Sequence, residues 1–278
     1  MTFDLIYLYL FSPLHTGGAS QEGNLVGIAR ESHTDLPYVP SSTIRGRLRA
    51  ETDPSYRADL WGNTIEDVTD KGAENLKQGA LWVGNASILW MPVPSLSHGV
   101  IWVTCPLLLQ RWSRYQAQPQ PLPPAYSSSL ASEKAPIYLK DAILPASDLV
   151  DWPNWAQWFP QEAADNIRRV LVLPDQHCQT LVQMSLWRQV KIKLDEHKSV
   201  DGGFRYEEAI PPDTLMYFPW GLTAQTKSQE EGAVKQHSQR FHELIRDRDI
   251  LQIGGQESLG RGFVQQWLGT SKVMQEVK

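Results

Sequence analysis

Two histidines, His15 and His33, flank a glycine-rich stretch, HTGGASQEGN, close to the start of the chain. Two imidazoles in one site can serve as acid and base for RNA cleavage. Histidines at strand ends are also ordinary hydrogen-bonding groups, and these residues by themselves leave both readings open. A second glycine-rich stretch, GGQESLGRGFV, runs from Gly254 to Val264. Gly255 and Gly260 have the spacing of a P-loop, whose backbone amides wrap phosphates. Arg261 and Gly262, however, stand where a P-loop needs a lysine for the terminal phosphate and a hydroxyl for magnesium. Phe263 and Val264 predict a strand where a P-loop would begin its helix. The stretch is therefore a glycine turn into a final strand, or a run of amides laid along a phosphodiester chain. In the second case Gly254, Gly255, Gly260 and Arg261 are the contacts.

Local positive charge offers further chemistry. Arg45, Arg47 and Arg49 fall in residues 41–50, which hold no acid. Arg45 and Arg49 are four apart, so on a helix they leave one face, near the unsatisfied N–H groups of its first turn. Ser41 or Ser42 is placed to cap those groups, with Ile44 and Leu48 as the buried stripe behind. Such a helix is either an anion site or a solvated face paired with Glu51 and Asp53. In WRQVKIKLDEHKSVDGGFRYEE, Lys191 and Lys193 alternate with Val190, Ile192 and Leu194, which on a strand puts the lysines on one face. SVDGG is expected to turn the chain back into a long hairpin. Its apolar arm either wedges against bases or belongs to an exposed hairpin with a solubilising face.

The elements that must hold these groups follow from periodicity. Residues 3–12 form a short continuous apolar run, which suits a central strand covered on both faces. HTGGASQEGN follows as a loop, GALWVGNASILWMPV as a strand, and GVIWVTCPLLLQRW as a strand running into a helix. Residues 117–129 are a Pro-rich surface loop, while 151–169 and 228–247 are expected to be helical, the latter with Val234, Phe241 and Ile245 along one face. Strands interleaved irregularly with helices favour an α+β fold over a doubly wound sheet. The 278 residues, 41% of them hydrophobic, suffice for a sizeable core.

Several classes drop out. The net charge of −5 removes general attraction to nucleic acid, so any phosphate site must be a local concentration of Lys and Arg. Cys105 and Cys178 are the only cysteines, which argues against a disulfide framework or thiolate zinc site and for a reducing, cytoplasmic setting. His237 and His242 are five apart, unlike an i, i+4 metal pair. The apolar start is too short to span a bilayer, and no membrane partner is expected.

Together, SPLHTGG, RESHTDLPYVPSSTIRGRLR, GALWVGNASILWMPVPSLSHGVIWVTCPLLLQRW, EEAIPPDTLMYF and IGGQESLGRGFV, in that order, resemble the repeated-backbone RAMP subunit of type III-B CRISPR effector complexes, the Cmr branch. The resemblance spans nearly the whole chain. It implies one RAMP domain over residues 1–278: a ferredoxin-like, RRM-related palm with helical insertions and a long thumb β-hairpin at about 188–210. It also implies guide RNA and target RNA as partners, together with further copies of the chain in a filament and other effector subunits. Ser41, Ser42, Arg45, Arg49, Lys191, Lys193 and the Gly254–Arg261 stretch would lie along RNA, reading shape and backbone while base pairing carries sequence. Guide binding would need no cofactor.

Members that cut target RNA usually carry an Asp in the loop before the R-E-x-H-T segment, where it supports Mg²⁺-dependent attack by a 2′-hydroxyl. Here that position falls at Leu25 or Asn24, neither of which is a general base. The resemblance thus implies a guide-binding subunit without the usual cutting carboxylate. One alternative is a Mg²⁺-dependent endoribonuclease cutting at regular intervals, with His15, Glu22 and Asn24 in its target-facing loop. The other is an unrelated small-molecule enzyme.

Overall fold

The computed structural model describes residues 4–22, 25–64, 77–116, 120–228 and 231–269, with the backbone alone at 19–22. DLIYLYL forms the strand Asp4–Leu10. Ile6, Leu8 and Leu10 pack into one apolar cluster and Leu5, Tyr7 and Tyr9 into another, so both faces of this strand are covered. It pairs antiparallel with Leu215–Leu222 on one side and Phe263–Leu268 on the other. Leu215–Leu222 then pairs antiparallel with Ala86–Ser95.

The helix Ser41–Glu51 lies between the strands 4–10 and 86–95 in the chain, and the helix Glu231–Asp247 lies between 215–222 and 263–268. Two strand–helix–strand units therefore interleave, giving the order 86–95, 215–222, 4–10, 263–268. This is a ferredoxin-like palm, as the resemblance implied, within the α+β fold that the element pattern favoured. Gly99–Thr104, Val170–Val172 and two short strands extend the sheet beyond 86–95, and Ile250–Gln252 extends the other edge.

One face of the sheet is closed by the helices. Phe241, Leu244 and Ile245 are buried, and the Phe241 ring lies 4.3 Å from that of Trp220, whereas Val234 is only partly buried. The opposite face carries much of the tryptophan: Trp90, Trp112, Trp152 and Trp158 pack with Phe159 against Tyr7 and Tyr9. Two of their indole N–H groups find acceptors, Trp90 donating to the Trp158 carbonyl at 3.0 Å and Trp112 to the Tyr7 hydroxyl at 2.9 Å.

Three local expectations are corrected and one unsignalled helix is added. Residues 151–169 form no α-helix: Asp151 ends a short strand and the 3₁₀ turns Trp155–Trp158 and Gln161–Ala163 follow, because Pro153 and Pro160 interrupt the segment and tryptophan packing holds it instead. A helix the periodicity did not signal, Asp175–Met184, buries Cys178, Leu181 and Val182. Within HTGGASQEGN, Gly17–Glu22 is a strand rather than a loop and pairs antiparallel with Leu25–Ile28 as an early hairpin, residues 23–24 lying outside the described residues. The Pro-rich stretch, of which 117–119 lie outside the described residues, ends in a buried two-residue strand, Ser127–Ser128, that joins the sheet.

A second sheet carries the candidate site. Trp187–Leu194 and Val200–Ala209 form a long hairpin, and Val200–Ala209 pairs in parallel with Leu25–Ile28 through Tyr206↔Leu25 and Glu207↔Val26. The early hairpin is thereby laid beside the long one. Next to their junction, Gly262 has φ +77°, and a Cβ there would run into the Ile253 carbonyl. Gly46 lies within the helix Ser41–Glu51 with open space around it. The two glycines should therefore respond in opposite directions. Gly262→Ala is expected to lower stability by about 1–3 kcal/mol, and Gly46→Ala to raise it by about 0.5–1 kcal/mol, as read by urea unfolding. The same sign for both would contradict this backbone.

Candidate nucleic-acid interface

Two successive acids, Glu207 and Glu208, occupy the root of the long hairpin, and neighbours on a strand must point to opposite faces. Each side chain is only 1% exposed. A buried carboxylate needs cations and hydrogen bonds, and here each side of the sheet supplies its own. Glu207 takes Lys191 Nζ at 3.1 Å, Arg205 Nη2 at 3.0 Å and Arg261 Nη1 at 3.0 Å. Glu208 takes Arg30 Nη2 at 2.7 Å and Arg188 Nε at 2.9 Å. Around Glu207 three cations face one carboxylate, which leaves an excess of positive charge.

The register sorts the hairpin into two unlike faces. Lys191 pairs with Arg205 and Gln189 with Glu207, all on the polar side. Val190 pairs with Tyr206 and Ile192 with Phe204 on the other, where all four are roughly half exposed. Lys193 follows the regular pairing at an irregularity and meets Asp201 at 2.5 Å. The chain does not reverse at SVDGG. It turns at Asp195–Ser199, where the Asp195 carboxylate accepts from the N–H groups of His197 and Ser199 and Lys198 adopts φ +60°. Gly202 and Gly203, both at positive φ, lie inside the returning strand.

The C-terminal glycine stretch meets the hairpin root. Gly254 has φ +83°, and a Cβ there would strike the His15 carbonyl, to which Gly255 N–H donates at 3.0 Å. Gly260 has φ +72° and faces open space. Arg261 differs from its expected role. It is 3% exposed, donates to Glu207, Gln256 and, at 2.8 Å, Gln189, and stacks on Trp187 with 4.6 Å to the ring centroid. Its guanidinium holds the loop against the hairpin rather than reaching outward.

His15 is buried, and its Nδ1 lies 2.8 Å from the Glu208 carbonyl. A carbonyl only accepts, so the proton is on Nδ1. His33 is instead held by Arg111, whose Nη2 is 3.1 Å from its Nε2. The two imidazoles are thus bound to different partners. The side chain of Glu22 and the whole of Asn24 lie outside the described residues, and Leu25 lines a groove with its aliphatic side chain. Among the described residues no three His, Cys, Asp or Glu side chains gather to hold a metal ion.

The arginine helix also needs correction. Pro40 stands at its N-cap, neither Ser41 nor Ser42 supplies a cap, and Asn85 Oδ1 accepts from Ser41 N–H at 2.8 Å. Ile44 and Leu48 are buried as the stripe required. Arg45 donates to the Trp61 carbonyl and Arg49 to that of Gly62 at 2.6 Å, while Arg47 pairs with Glu51 at 2.7 Å. Arg45 and Arg49 therefore clamp the C-terminal end of the short helix Arg57–Trp61. Just beyond, Asn63 N–H donates to the Lys77 carbonyl at 3.1 Å and Gly62 bridges Gln78.

A groove of about 630 Å³ joins these parts: Gly17 and Leu25 from the early hairpin, Arg30 and Tyr38 from the following segment, Pro40 before the arginine helix, and Arg188 with Glu208 from the long hairpin. Arg30 and the partner roles of Glu207 and Glu208 escaped the sequence reading, whereas Arg188 and Arg205 were legible as cations of the basic stretch. The available signal was two consecutive acids in a basic strand, since one must face inward.

A ferredoxin-like palm with a cationic hairpin root defines a class, and a family match names it: the RAMP superfamily matches residues 7–265, and the chain belongs to it. Among curated relatives it is 28% identical to the CRISPR system Cmr endoribonuclease Cmr4 of Pyrococcus furiosus, over 94% of this chain and 93% of that protein. Among solved structures, a crystal structure of Cmr4 superposes with TM-score 0.68 at 24% identity, covering 98% of this chain and all of the other. A chain of a type III-B Cmr-beta complex bound to cognate target RNA gives TM-score 0.69 at 18% identity, covering 96% and 97%. At these identities the structural likenesses speak to the fold. Among the described residues no helix is long and apolar enough to cross a membrane.

Burial would raise the Glu207 carboxyl, but the Lys191 hydrogen bond and the charges of Lys191, Arg261 and Arg205 outweigh it and hold it below the usual glutamate range. A lowered folded value stabilises above the unfolded value of about 4.3 and is lost as pH falls through the folded one. Urea unfolding between pH 7 and pH 3 should show Glu207→Gln less stable at pH 7, by roughly 3 kcal/mol, and losing less on acidification. Parallel pH profiles for variant and parent would refute the assignment.

Proposed function

We propose that this chain is a guide-RNA-binding backbone subunit of a type III-B-like CRISPR effector complex, presenting the guide for pairing with target RNA in antiviral defence. The observation that carries the reading is local: on a chain of net charge −5, five cations, Lys191, Arg205, Arg261, Arg30 and Arg188, gather around two buried carboxylates at the root of the long hairpin, which the glycine stretch reaches through Arg261. A ribose–phosphate strand is the ligand such a surface suits, because it presents repeated anions that need no base-specific pocket. The relatives, a Cmr4 and a chain of a Cmr complex with target RNA, point the same way. Further copies of this chain and other effector subunits are the proposed protein partners.

Guide binding requires no cofactor in this reading. The curated relative is called an endoribonuclease, yet Leu25 has no proton-accepting group and Asn24 offers only a neutral amide. The proposed role is therefore to hold and present the guide, with Mg²⁺ required only if target is cut.

Purified chain should carry RNA of uniform length that salt releases steeply, the logarithm of affinity falling by about 0.7 per phosphate contact per decade of salt. Protein free of RNA, or RNA held independently of salt, would overturn the proposal. Assembled complex given complementary RNA and Mg²⁺ should leave the target uncut by this subunit. Cuts at regular spacing, abolished by changing Glu22, would establish the nuclease reading instead.

A further inference from the structure

The like charges of Lys191 and Arg205 stand directly opposite each other across the hairpin, an arrangement that by itself repels. Glu207 makes it tenable, holding Lys191 on one carboxylate oxygen and Arg205 on the other. The third cation, Arg261, is 4% exposed at its side chain and committed to protein partners. Lys191 is 29% and Arg205 57% exposed, and both have more N–H groups than one carboxylate can accept. Beside them a cavity of about 440 Å³ opens over Phe204, Gly202 and Gly203.

We infer that Glu207 is the positioning residue of a phosphodiester-binding site at the hairpin root, where Lys191 and Arg205 are the contacting pair. The inference rests on the reading of the chain as an RNA-holding subunit, and adds which anion contact the hairpin makes and what fixes it. The carboxylate sets the spacing of the two cations and ties them through Arg261 to the glycine stretch. A phosphate supplies the acceptors that Glu207 leaves wanting. The consequence runs against simple charge counting: removing a negative charge beside a polyanion should tighten binding, whereas here it releases the cations and weakens it.

The test is fluorescence anisotropy of a labelled single-stranded RNA with the purified, RNA-stripped full chain across a salt series. Lys191→Ala and Arg205→Ala, at exposed side chains, are each expected to weaken binding several-fold and to lower the salt slope by about 0.7. Glu207→Gln should weaken binding about fivefold or more, with Glu207→Asp intermediate, and the effect of Lys191→Ala should shrink in the Glu207→Gln background. Glu231→Gln, which removes the same charge from an exposed helix position, should leave affinity unchanged or slightly higher. Equal or tighter binding by Glu207→Gln, or full additivity with Lys191→Ala, would overturn the inference while leaving the RNA-holding role intact. Should Glu207→Gln fail to fold, unchanged salt slopes in Lys191→Ala and Arg205→Ala would overturn it. A parent chain that binds no RNA would overturn both.

Discussion

Burying two adjacent carboxylates is the constraint around which the hairpin root is organised. An ionised Glu cannot be taken out of water without partners, and two in sequence must look for them on opposite sides of one strand. Glu207 gathers Lys191, Arg205 and Arg261, and Glu208 gathers Arg30 and Arg188. Those five cations come from the long hairpin, from the segment after the early hairpin and from the loop before the last strand. A single dipeptide thus ties together parts of the chain far apart in sequence.

The glycine stretch fits the same frame. Its conformation is set by close backbone approach, Gly254 against His15 and Gly262 against Ile253, so this turn needs glycine for packing irrespective of any ligand. Arg261 then contributes electrostatics from within: it neutralises Glu207 from the buried side and leaves Lys191 and Arg205 facing outward. Internal and external roles of charge are divided between residues that sequence proximity would lump together.

The palm was legible because apolar patterning dictates it. DLIYLYL could only be a strand covered twice, and Ile44, Leu48, Phe241 and Ile245 mark the inward faces of the two helices. The tryptophan segment 151–169 was misread because rings from distant strands, rather than local propensity, hold it. The candidate contacts were legible as types but not as pairings. Arg45 and Arg49 look alike to a phosphate and to a helix C-terminus, and only tertiary placement sends them to the Trp61 and Gly62 carbonyls. Glu207 and Glu208 were invisible as partners because charge counting along a segment cannot say which side of a strand an acid occupies.

The clamp at Trp61 and Gly62 also has a mechanical consequence for the palm. Where the chain leaves at Asn63 and comes back at Lys77, its two ends are hydrogen-bonded to each other, and two arginines of the palm fasten the departure point. Departure, return and the arginine helix are thereby locked into one unit, so a disturbance at either end is met by the palm's own side chains before it reaches the sheet.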